Sequence, residues 1–580
     1  MPRGVEEVNI VKNFKATKTW KVVLTGIIIS TFITLIMDYI IPTPWNFRSE
    51  GTWIKVFFIL MVYATINALF VGIAQAKYVI PKNDKIVNLP FAVPFIMVPI
   101  FFIGILTGAQ FFNSSNYADI IQVEQVASGD AILSEKDAES IALMDTASAK
   151  QLGDREIGAI ENFSAFNVSD DYIQLNIHED AVKVSPLEYT GFFKWMNNRE
   201  EGVTGYVSVS PTTMTADYIE FSEGMKYIPS AYFQEDLNRH LHYQFPTLIY
   251  GNIHFEIDEN GKPYYVASVF DKTIGLFGGE IVVGAIVTDP VSGESVYYDV
   301  TDIPQWVDYV FPGDLVCRLY NVAYKNINGF WNGTSFGANK GCMQTTTIDS
   351  YISDDEEDTT ADAGTDYGYI AKDGDIYIYT GVTSMAADSS NLGFIMVNER
   401  TGQYKYFAVS SANEQSAMNA AEGEVQQYGY KASFPTLINI DNELAYIGVL
   451  KDQSGLVKMY YMVNVKDYGK VVVADSRESC VTKYAQKLGL DINEELTGPT
   501  EEQDVVKTPI VFIISVMQYV NVDGNTYVYM GTEDGIVYKA LFHENEQLLF
   551  AKPGDTITGT LINGKLIVEF VNEPMKTEAL

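Results

Sequence analysis

Three long apolar runs near the N-terminus constrain this chain more than any other feature of its sequence. They extend over Val22–Ile41, Val56–Ala76 and Leu89–Phe112, and Asp38 is the single charged residue within them. Helices of such length cross the roughly 30 Å hydrocarbon core of a bilayer. The first run is also longer than the apolar segment of a cleavable signal peptide. We therefore predict an uncleaved anchor of three transmembrane helices in residues 1–112.

The basic residues that flank these runs predict the orientation of the anchor. Eight lie before the first run or between the second and third: Arg3, Lys12, Lys15, Lys18, Lys21, Lys77, Lys82 and Lys85. The loop between the first and second runs has two, Arg48 and Lys55. Because cytoplasmic loops are enriched in Lys and Arg, we expect a cytoplasmic N-terminus. Three crossings then place residues 113–580 on the extracytoplasmic side of the cell membrane.

Length and charge bound the rest of the molecule. At 580 residues the chain is too long for one ordinary domain. Residues 113–580 contain 29 Lys and Arg against 69 Asp and Glu, a balance of −40. Such a charge repels nucleic acid, which we exclude as a partner. Three Cys are too few for a disulfide-dense scaffold, and the sequence leaves open whether Cys317 and Cys342 pair or are buried thiols.

Hydrophobic periodicity divides the chain beyond the anchor into regions of mixed helix and strand. Residues 113–168 are predicted to form a stalk with a short helix. Residues 169–350 are predicted to form a first pair of α+β modules, and residues 367–500 a second pair. Residues 351–366 are predicted to form a linker, because Ser353–Asp366 is acidic and contains no apolar residue larger than Ala. Residues 505–573 are expected to form a small β-barrel.

The predicted modules share a helical stretch followed by alternating strands joined by polar turns. The pentapeptide FPTLI favours duplication, because it occurs at Phe245–Ile249 and again at Phe434–Ile438, each time after a helical stretch. We infer three or four related modules, each with a helix and an antiparallel sheet. The fold class expected is therefore α+β, in several domains.

The segment from Tyr430, YKASFPTLINIDNELAYIGVLKDQSG, resembles the helix, strand and hairpin of PepSY-like modules. DTASAKQLGDREIG from Asp145, DIPQWVD from Asp302 and IYIYTGVTSMAADSSNLG from Ile376 resemble uncharacterised membrane-anchored proteins of Gram-positive anaerobes. The resemblance covers most of residues 140–490 and carries no catalytic motif. It implies an extracytoplasmic bacterial protein. PepSY-like modules also imply regulation of secreted proteases or sensing at the envelope.

Short strands with tight turns characterise the C-terminal region. Asp523-Gly524 and Asn563-Gly564 are hairpin turn signals. Five or six short strands in fewer than 70 residues predict a barrel of the OB or SH3 type. OB barrels bind nucleic acid or sugars, and the acidic charge of this region argues against nucleic acid.

Catalytic motifs in the sequence are isolated. Gly333–Gly337 matches G-x-S-x-G with Ser335 in the nucleophile position, but its flanks lack the strand and helix of a nucleophile elbow. Asp145–Ser148 resembles an aspartic-protease turn, with Ala147 where that turn requires Gly. The helical period of the same segment favours a helix instead. We predict no catalytic residue.

Metal and cofactor sites are not expected either. His240, His242 and His254 would bind zinc only if they converged in the fold. The acidic run Asp354–Asp358 lacks the ligand spacing of a calcium loop. No phosphate loop or dinucleotide fingerprint occurs in the chain. We therefore predict no metal and no cofactor.

Gly104 and Gly108 form a G-x-x-x-G in the third apolar run, which predicts helix packing and allows a homo-oligomer. Together these features favour a membrane-anchored binding or scaffold protein of the bacterial envelope, without catalysis. Its expected partners are the lipid bilayer and other envelope or secreted proteins. Two alternatives stay open: a PepSY-like regulator or chaperone of secreted proteases, and a membrane-bound serine hydrolase that uses Ser335.

Overall fold

The apolar runs lie in the first three helices of a computed structural model of the chain. Helix α1 spans Gly4–Ile40, α2 spans Glu50–Ala76 and α3 spans Asp84–Gly108. All three are long and apolar enough to cross a membrane. The structure describes residues 4–77, 84–126, 133–134, 141–158, 165–178, 180–346, 367–441, 443–490, 507–522, 525–533, 535–541, 546–549, 551–562 and 566–573.

Shorter helices follow within these described ranges. They are α4 (Gln110–Ala118), α5 (Thr146–Gly158), α6 (Phe192–Asn198), α7 (Leu237–Gln244), α8 (Gly313–Lys325), α9 (Glu414–Glu424) and α10 (Arg477–Leu488). Helix α10 illustrates how local sequence determines helix bounds. The Ser476 hydroxyl accepts the Ser479 N–H at its start, and Gly489 adopts a φ of +67° at its end.

Two short strands, β1 (Val123–Gln125) and β2 (Leu133–Ser134), precede the larger sheets. The first meander contains β3 (Phe166–Val168), β4 (Ile173–Ile177), β5 (Asp180–Tyr189), β6 (Val203–Ser210) and β7 (Thr215–Met225). The second contains β8 (Ile249–Ile257), β9 (Pro263–Ile274), β10 (Gly278–Thr288) and β11 (Ser295–Asp299).

Two further meanders follow in the chain. The third contains β12 (Met343–Thr345), β13 (Gly368–Lys372), β14 (Asp375–Ser384), β15 (Ala387–Asn398), β16 (Tyr404–Phe407) and β17 (Ser411–Ala412). The fourth contains β18 (Lys431–Ala432), β19 (Thr436–Ile440), β20 (Glu443–Lys451), β21 (Val457–Asn464) and β22 (Val471–Ala474).

All four meanders share one topology. A helix comes first (α5, α7, α8 and α9 in turn), and four antiparallel strands then pair in chain order. In the first, third and fourth meanders, one edge of a long strand pairs with two short strands. These pairings are β5 with β3 and β4, β14 with β12 and β13, and β20 with β18 and β19. In the second meander, β8 alone covers that edge of β9, with a bulge between Gly251 and Ile253.

The two FPTLI segments occupy different registers within this topology. Ile249 lies opposite Phe270, far from the β8–β9 turn, whereas Ile438 lies opposite Ala445, close to the β19–β20 turn. The recurrence therefore lies in the strand order rather than in equivalent positions of the pentapeptide.

The four meanders and their helices pack in layers. Helix α8 lies between two sheets, because Leu315 and Leu319 pack with the second meander while Val316 and Tyr320 pack with the third. The first and second meanders share a core, as do the third and fourth. Because alternate strand residues point to opposite faces, β14 contributes to both the α8 side and the fourth-meander side.

The described part of residues 113–168 does not stand apart from the folded body as a stalk. Strand β1 pairs in parallel with β16, and β2 pairs in parallel with β19, so this region extends the third and fourth sheets. These short strands can pair there because the edge strands of a sheet present N–H and C=O groups that have no partner within the sheet. A short helix is predicted in this region, and α5 forms at Thr146–Gly158, after residues 141–145, which are not helical.

The C-terminal sheet contains β23 (Lys507–Ile513), β24 (Val516–Val522), β25 (Asn525–Gly531), β26 (Val537–Leu541), β27 (Thr556–Ile562) and β28 (Leu566–Glu573). Its strand order is β23-β27-β28-β26-β25-β24, with β26 and β28 parallel. The whole chain is thus a mixed α+β protein with three apolar N-terminal helices and several sheets. The predicted linker 351–366, including Asp354–Asp358, and both hairpin dipeptides lie outside the described residues.

Candidate binding cleft

An open cleft of about 460 Å³ lies where α5, the β6–β7 turn and the fourth meander meet. Its walls combine thioethers, tyrosines and cations, among them Met144, Met214, Tyr428, Tyr460, Arg155 and Lys458. A volume of this size is in the range of ligand sites, which are roughly 300–1,000 Å³. The mixture of apolar surface and a few charged groups is also typical of such sites.

Helix α5 forms one wall of the cleft and is attached firmly to the opposite wall. The Ser148 N–H donates to Asp145 Oδ1 at 3.0 Å, which caps the start of the helix. The same carboxylate binds Lys451 of β20, and the Ser148 hydroxyl donates to the Gly455 carbonyl at 2.7 Å. Burial raises the pKa of Asp145, but the charge of Lys451 and these hydrogen bonds outweigh it and hold the pKa below its usual value.

Two stacked tyrosines form the lip of the cleft. The rings of Tyr428 and Tyr430 have centroids 5.3 Å apart and an interplanar angle of 23°. Tyr428 is 59% exposed, whereas Tyr430 packs partly against the core of the fourth meander. A rigid aromatic face beside a concave surface is a frequent anchor in protein recognition, because it buries a large area at small entropic cost.

Two cations and one acid line the cleft, in contrast to the acidic excess of the body around it. Lys458 Nζ lies 3.5 Å from Asp452 Oδ2, and Arg155 extends from the exposed side of α5. Asp475 is the acidic residue among those that line the cleft. Burial raises the pKa of Asp452, but hydrogen bonds from Ser454 and Leu456 and the charge of Lys458 bring it below the usual value. A ligand with acidic or neutral groups fits this lining best.

A second feature of the body is a buried junction of charged groups, formed by Lys183, Glu256, Asp308 and Glu399. All four are at most 2% exposed, at the place where the first three meanders meet. Glu256 accepts the N–H groups of Asp308 and Tyr309 at 3.0 and 3.1 Å. Asp308 in turn accepts the Asn176 N–H of β4 at 2.6 Å. These bonds tie the first and second meanders together.

Glu399 is the unusual member of the buried junction. Its backbone carbonyl accepts the N–H groups of Val310 and Phe311, yet both carboxyl oxygens are buried without a hydrogen-bond partner among the described residues. Burial raises the pKa of Glu399 well above its usual value, and the carboxylates of Asp308 and Glu256 add to the effect. Burial also lowers the pKa of Lys183 to about 8, although the nearby acids oppose this. An uncharged Glu399 therefore fits this junction best near neutral pH.

A third feature is the contact between the body and the anchor, which we call the membrane-side junction. The backbone N–H of Trp45, in the loop between α1 and α2, donates to the Pro246 carbonyl at 2.6 Å. Arg48 pairs with Asp271 of β9 at 2.8 Å. The Arg239 guanidinium of α7 donates to the Tyr39 carbonyl at 2.9 Å. The body is therefore attached to the helices at several points.

Asp38, the charged residue of the first apolar run, belongs to the membrane-side junction. It pairs with Lys55, and His242 Nε2 lies 3.7 Å from Asp38 Oδ2. His242 is buried, and burial lowers its pKa despite the neighbouring carboxylate. The Lys55 ammonium also lies 4.1 Å from the centroid of the Trp45 ring.

Gly104 and Gly108 face the body rather than open lipid. A Cβ atom at Gly104 would lie 2.7 Å from Leu276, and one at Gly108 would lie 2.7 Å from the Gly278 nitrogen. Both contacts are made by the tip of the β9–β10 hairpin, which packs against the end of α3. Packing of these glycines against a second copy of the chain stays a prediction.

The structure separates the other residues that the sequence singled out. Ser335 lies in an exposed turn after the 3-10 helix Phe330–Gly333, and the next described element is strand β12, so the strand and helix of an elbow are missing there. Cys317 and Cys342 are both buried and form no disulfide. Asp145 caps the start of α5 and Thr146–Ser148 lie in its first turn, whereas residues 141–145 before the helix are not helical.

The three histidines do not converge. His240 binds the Gly293 carbonyl, His242 lies beside Asp38, and His254 binds Glu256 at 2.8 Å. Among the described residues, no group of three or more His, Cys, Asp or Glu is placed to hold a metal ion.

Sequence reasoning did not identify the cleft or the buried junction. Both join residues that are distant in the chain, such as Asp145 with Lys451 and Asn176 with Asp308. A weak signal was available for the cleft, because Tyr428 and Tyr430 follow a helix within an otherwise polar loop. Comparison of the chain with models of known protein families gave no match, and comparison with curated proteins gave none either.

Proposed function

We propose that this chain is a membrane-anchored binding protein of the bacterial cell envelope, without catalysis. Its N-terminus is cytoplasmic and its body, residues 113–580, is extracytoplasmic in this proposal. The observation that carries the binding role is the open cleft between α5 and the fourth meander, lined by exposed tyrosine, methionine and two cationic side chains.

Two observations support the proposed orientation. Eight Lys and Arg residues flank the predicted inner ends of the apolar runs against two at the outer loop. The α1–α2 loop and the end of α3 both contact the body, through Trp45 with Pro246 and Gly108 with Gly278. Three crossings bring this loop and the end of α3 to one side of a membrane, which agrees with a body that lies wholly on that side.

The finer fold assignments are part of the same proposal. The recurrence of a helix followed by a four-stranded meander supports tandem PepSY-like modules. For the C-terminal sheet, β23 and β24 are separated by Ile514 and Ser515 and pair at opposite ends of the strand order. A five-stranded OB barrel whose first strand is split in two would have this order, which supports the OB type over the SH3 type.

We assign an extended segment of another envelope or secreted protein to the cleft. The cleft is open, so it does not enclose a small molecule on all sides, and its flat aromatic lip suits a polypeptide. Two cations in a body with a balance of −40 favour a segment with acidic groups. A regulator of secreted proteases is the narrower form of this proposal, in which the bound segment belongs to a protease.

Photocrosslinking in intact cells tests the binding role. A benzoylphenylalanine at Tyr428 should crosslink a defined envelope or secreted protein, and Arg155→Glu in the same chain should weaken the product. A matched control carries the probe at Tyr468, which is 57% exposed and follows the far end of β21. Identical products at both positions, or none at Tyr428, would contradict the proposal. Identification of the product then distinguishes a protease from other partners.

A further inference from the structure

The loop between α8 and β12, residues 326–342, exposes large aromatic side chains next to the anchor. We call it the aromatic loop. Phe336 is 93% exposed and Trp331 is 64% exposed. Exposed aromatic patches of this kind usually mark a surface that contacts something other than water. The loop also contains the G-x-S-x-G sequence. Because Ser335 lacks the strand and helix of a nucleophile elbow, catalysis does not explain the aromatic composition of the loop.

The position of the aromatic loop relative to the anchor follows from α4. The Asn113 side-chain amide donates to the Thr107 carbonyl at 2.8 Å, and the Tyr117 hydroxyl donates to the Gly108 carbonyl at 2.7 Å. Helix α4 therefore lies against the end of α3, at the level of the last carbonyls of the span. This level is where hydrocarbon gives way to a headgroup layer of roughly 5–7 Å.

Ring contacts connect the loop to α4. The Phe111 ring meets Phe330 at 5.3 Å and Trp331 at 5.8 Å, both edge to face. The Asn326 amide also donates to Gln110 Oε1 at 3.2 Å. Trp331 consequently lies beside the end of the span, where indole rings are enriched in membrane proteins.

Hydrogen bonds hold the loop in one shape. The Asn332 side chain donates to the Lys340 carbonyl at 3.0 Å and accepts the Lys340 N–H at 3.1 Å, and the Asn339 N–H donates to the Asn332 carbonyl at 3.0 Å. The rings are thus presented on a preorganised surface, which reduces the entropic cost of insertion.

The charge of the loop differs from that of the body. The loop contains Lys340 and no Asp or Glu, and it follows directly after Lys325 of α8, in a region whose overall balance is −40. A basic, aromatic segment suits the headgroup layer, where lysines meet phosphates and rings meet the upper acyl chains.

We propose that the aromatic loop inserts Trp331 and Phe336 into the headgroup layer of the membrane that the three helices span. The loop is then a second membrane contact, made by the body itself. This inference rests on the membrane anchor and not on the cleft, so failure of the crosslinking experiment leaves it standing.

The test uses the full chain in lipid nanodiscs. Ser335→Cys carries an environment-sensitive NBD label beside the two rings and leaves both in place, while the three native Cys are buried. We expect lipids with a doxyl group near the headgroup to quench this label about twofold or more beyond the same label at Tyr468→Cys, because lipid contact is short-ranged. Equal quenching at the two positions would overturn the proposal.

A second variant separates insertion from mere proximity. Adding Trp331→Ser and Phe336→Ser to the labelled Ser335→Cys chain should bring quenching down towards that of the Tyr468 control, because the loop is exposed and the core is untouched. Circular dichroism checks that the fold is retained. Unchanged quenching in this variant would show that the rings do not insert, and would also overturn the proposal.

Discussion

The buried junction and the membrane-side junction both hold distant parts of the chain together, but they treat charge differently. At the membrane-side junction, Arg48 pairs with Asp271 and Lys55 pairs with Asp38, while Arg239 donates to the Tyr39 carbonyl. At the buried junction, Glu256 is fully hydrogen-bonded, whereas the carboxyl oxygens of Glu399 have no hydrogen-bond partner among the described residues. The stability of the membrane-side junction therefore depends on ion pairing and shape, whereas the stability of the buried junction depends on the protonation of its acids.

The largest expected effect is the loss of Glu256. Glu256→Ala would leave the N–H groups of Asp308 and Tyr309 and the His254 ring without an acceptor in the core. We expect the variant to lose about 3–5 kcal/mol of unfolding free energy, measured by thermal or urea unfolding of the full chain in detergent. The control Glu259→Ala, at a half-exposed site, should change it by about 0.5 kcal/mol or less. Equal losses in the two variants would contradict the role of Glu256.

The next effect concerns shape at the membrane-side junction. Gly108→Val would place a side chain within 3.1 Å of Gly278 backbone atoms and of the Ile274 carbonyl, so the β9–β10 hairpin must shift. We expect a cost of about 1–3 kcal/mol, as for other overpacked sites. Faster proteolysis of the hairpin in nanodiscs should accompany it. Gly72→Val is the matched control, because no atom lies within 4 Å of that position, and a similar loss there would contradict the docking contact.

Glu399→Gln should raise the unfolding free energy, in contrast to the variants above, and the size of the gain should depend on pH. An acid whose folded pKa is raised binds its proton more tightly in the folded state, so the stability it contributes is complete below the unfolded pKa and is lost as pH rises through the folded pKa. The Gln side chain does not titrate. The variant should therefore gain on the wild type as pH rises from 4 to 8, by about 1–2 kcal/mol at the upper end. Parallel stability profiles for the two proteins would contradict a protonated Glu399.

The smallest effect is expected at the Arg48–Asp271 pair. Both side chains are about two-fifths exposed, at 40% and 37%, so water and salt screen the attraction. Arg48→Ala should cost about 1 kcal/mol or less, and the difference should shrink further in high salt. A cost several times larger that persists in high salt would show that this pair, rather than packing at Gly108, holds the body to the anchor.

The parts of the fold that could be predicted from sequence are those with a local signal. The apolar runs predicted α1 to α3, and a period of 3.6 residues predicted α5. Alternation of apolar and polar residues indicated antiparallel sheets, which the four meanders contain. Local signals suffice here because each element buries its own apolar face.

The remaining features depend on partners that are far away in the chain. Asp38 has the local sequence of a solvated residue, and only the fold brings it to Lys55 and His242. Strand β1 has three residues and becomes a strand because β16 offers an open edge. The cleft forms where α5 lies beside β21, and no local sequence pattern specifies that contact. The attachment of residues 113–168 to the body likewise depends on strands that are distant in the chain.

We propose that a body attached to three membrane helices lies on the outer face of the cell membrane. Thiol labelling in intact cells with a membrane-impermeant maleimide measures this orientation, since the native Cys317, Cys342 and Cys480 are buried. We expect Tyr468→Cys to be labelled in intact cells, whereas Lys77→Cys, at the end of α2, should be labelled only after permeabilisation. Labelling of Lys77→Cys in intact cells, with Tyr468→Cys protected, would contradict it.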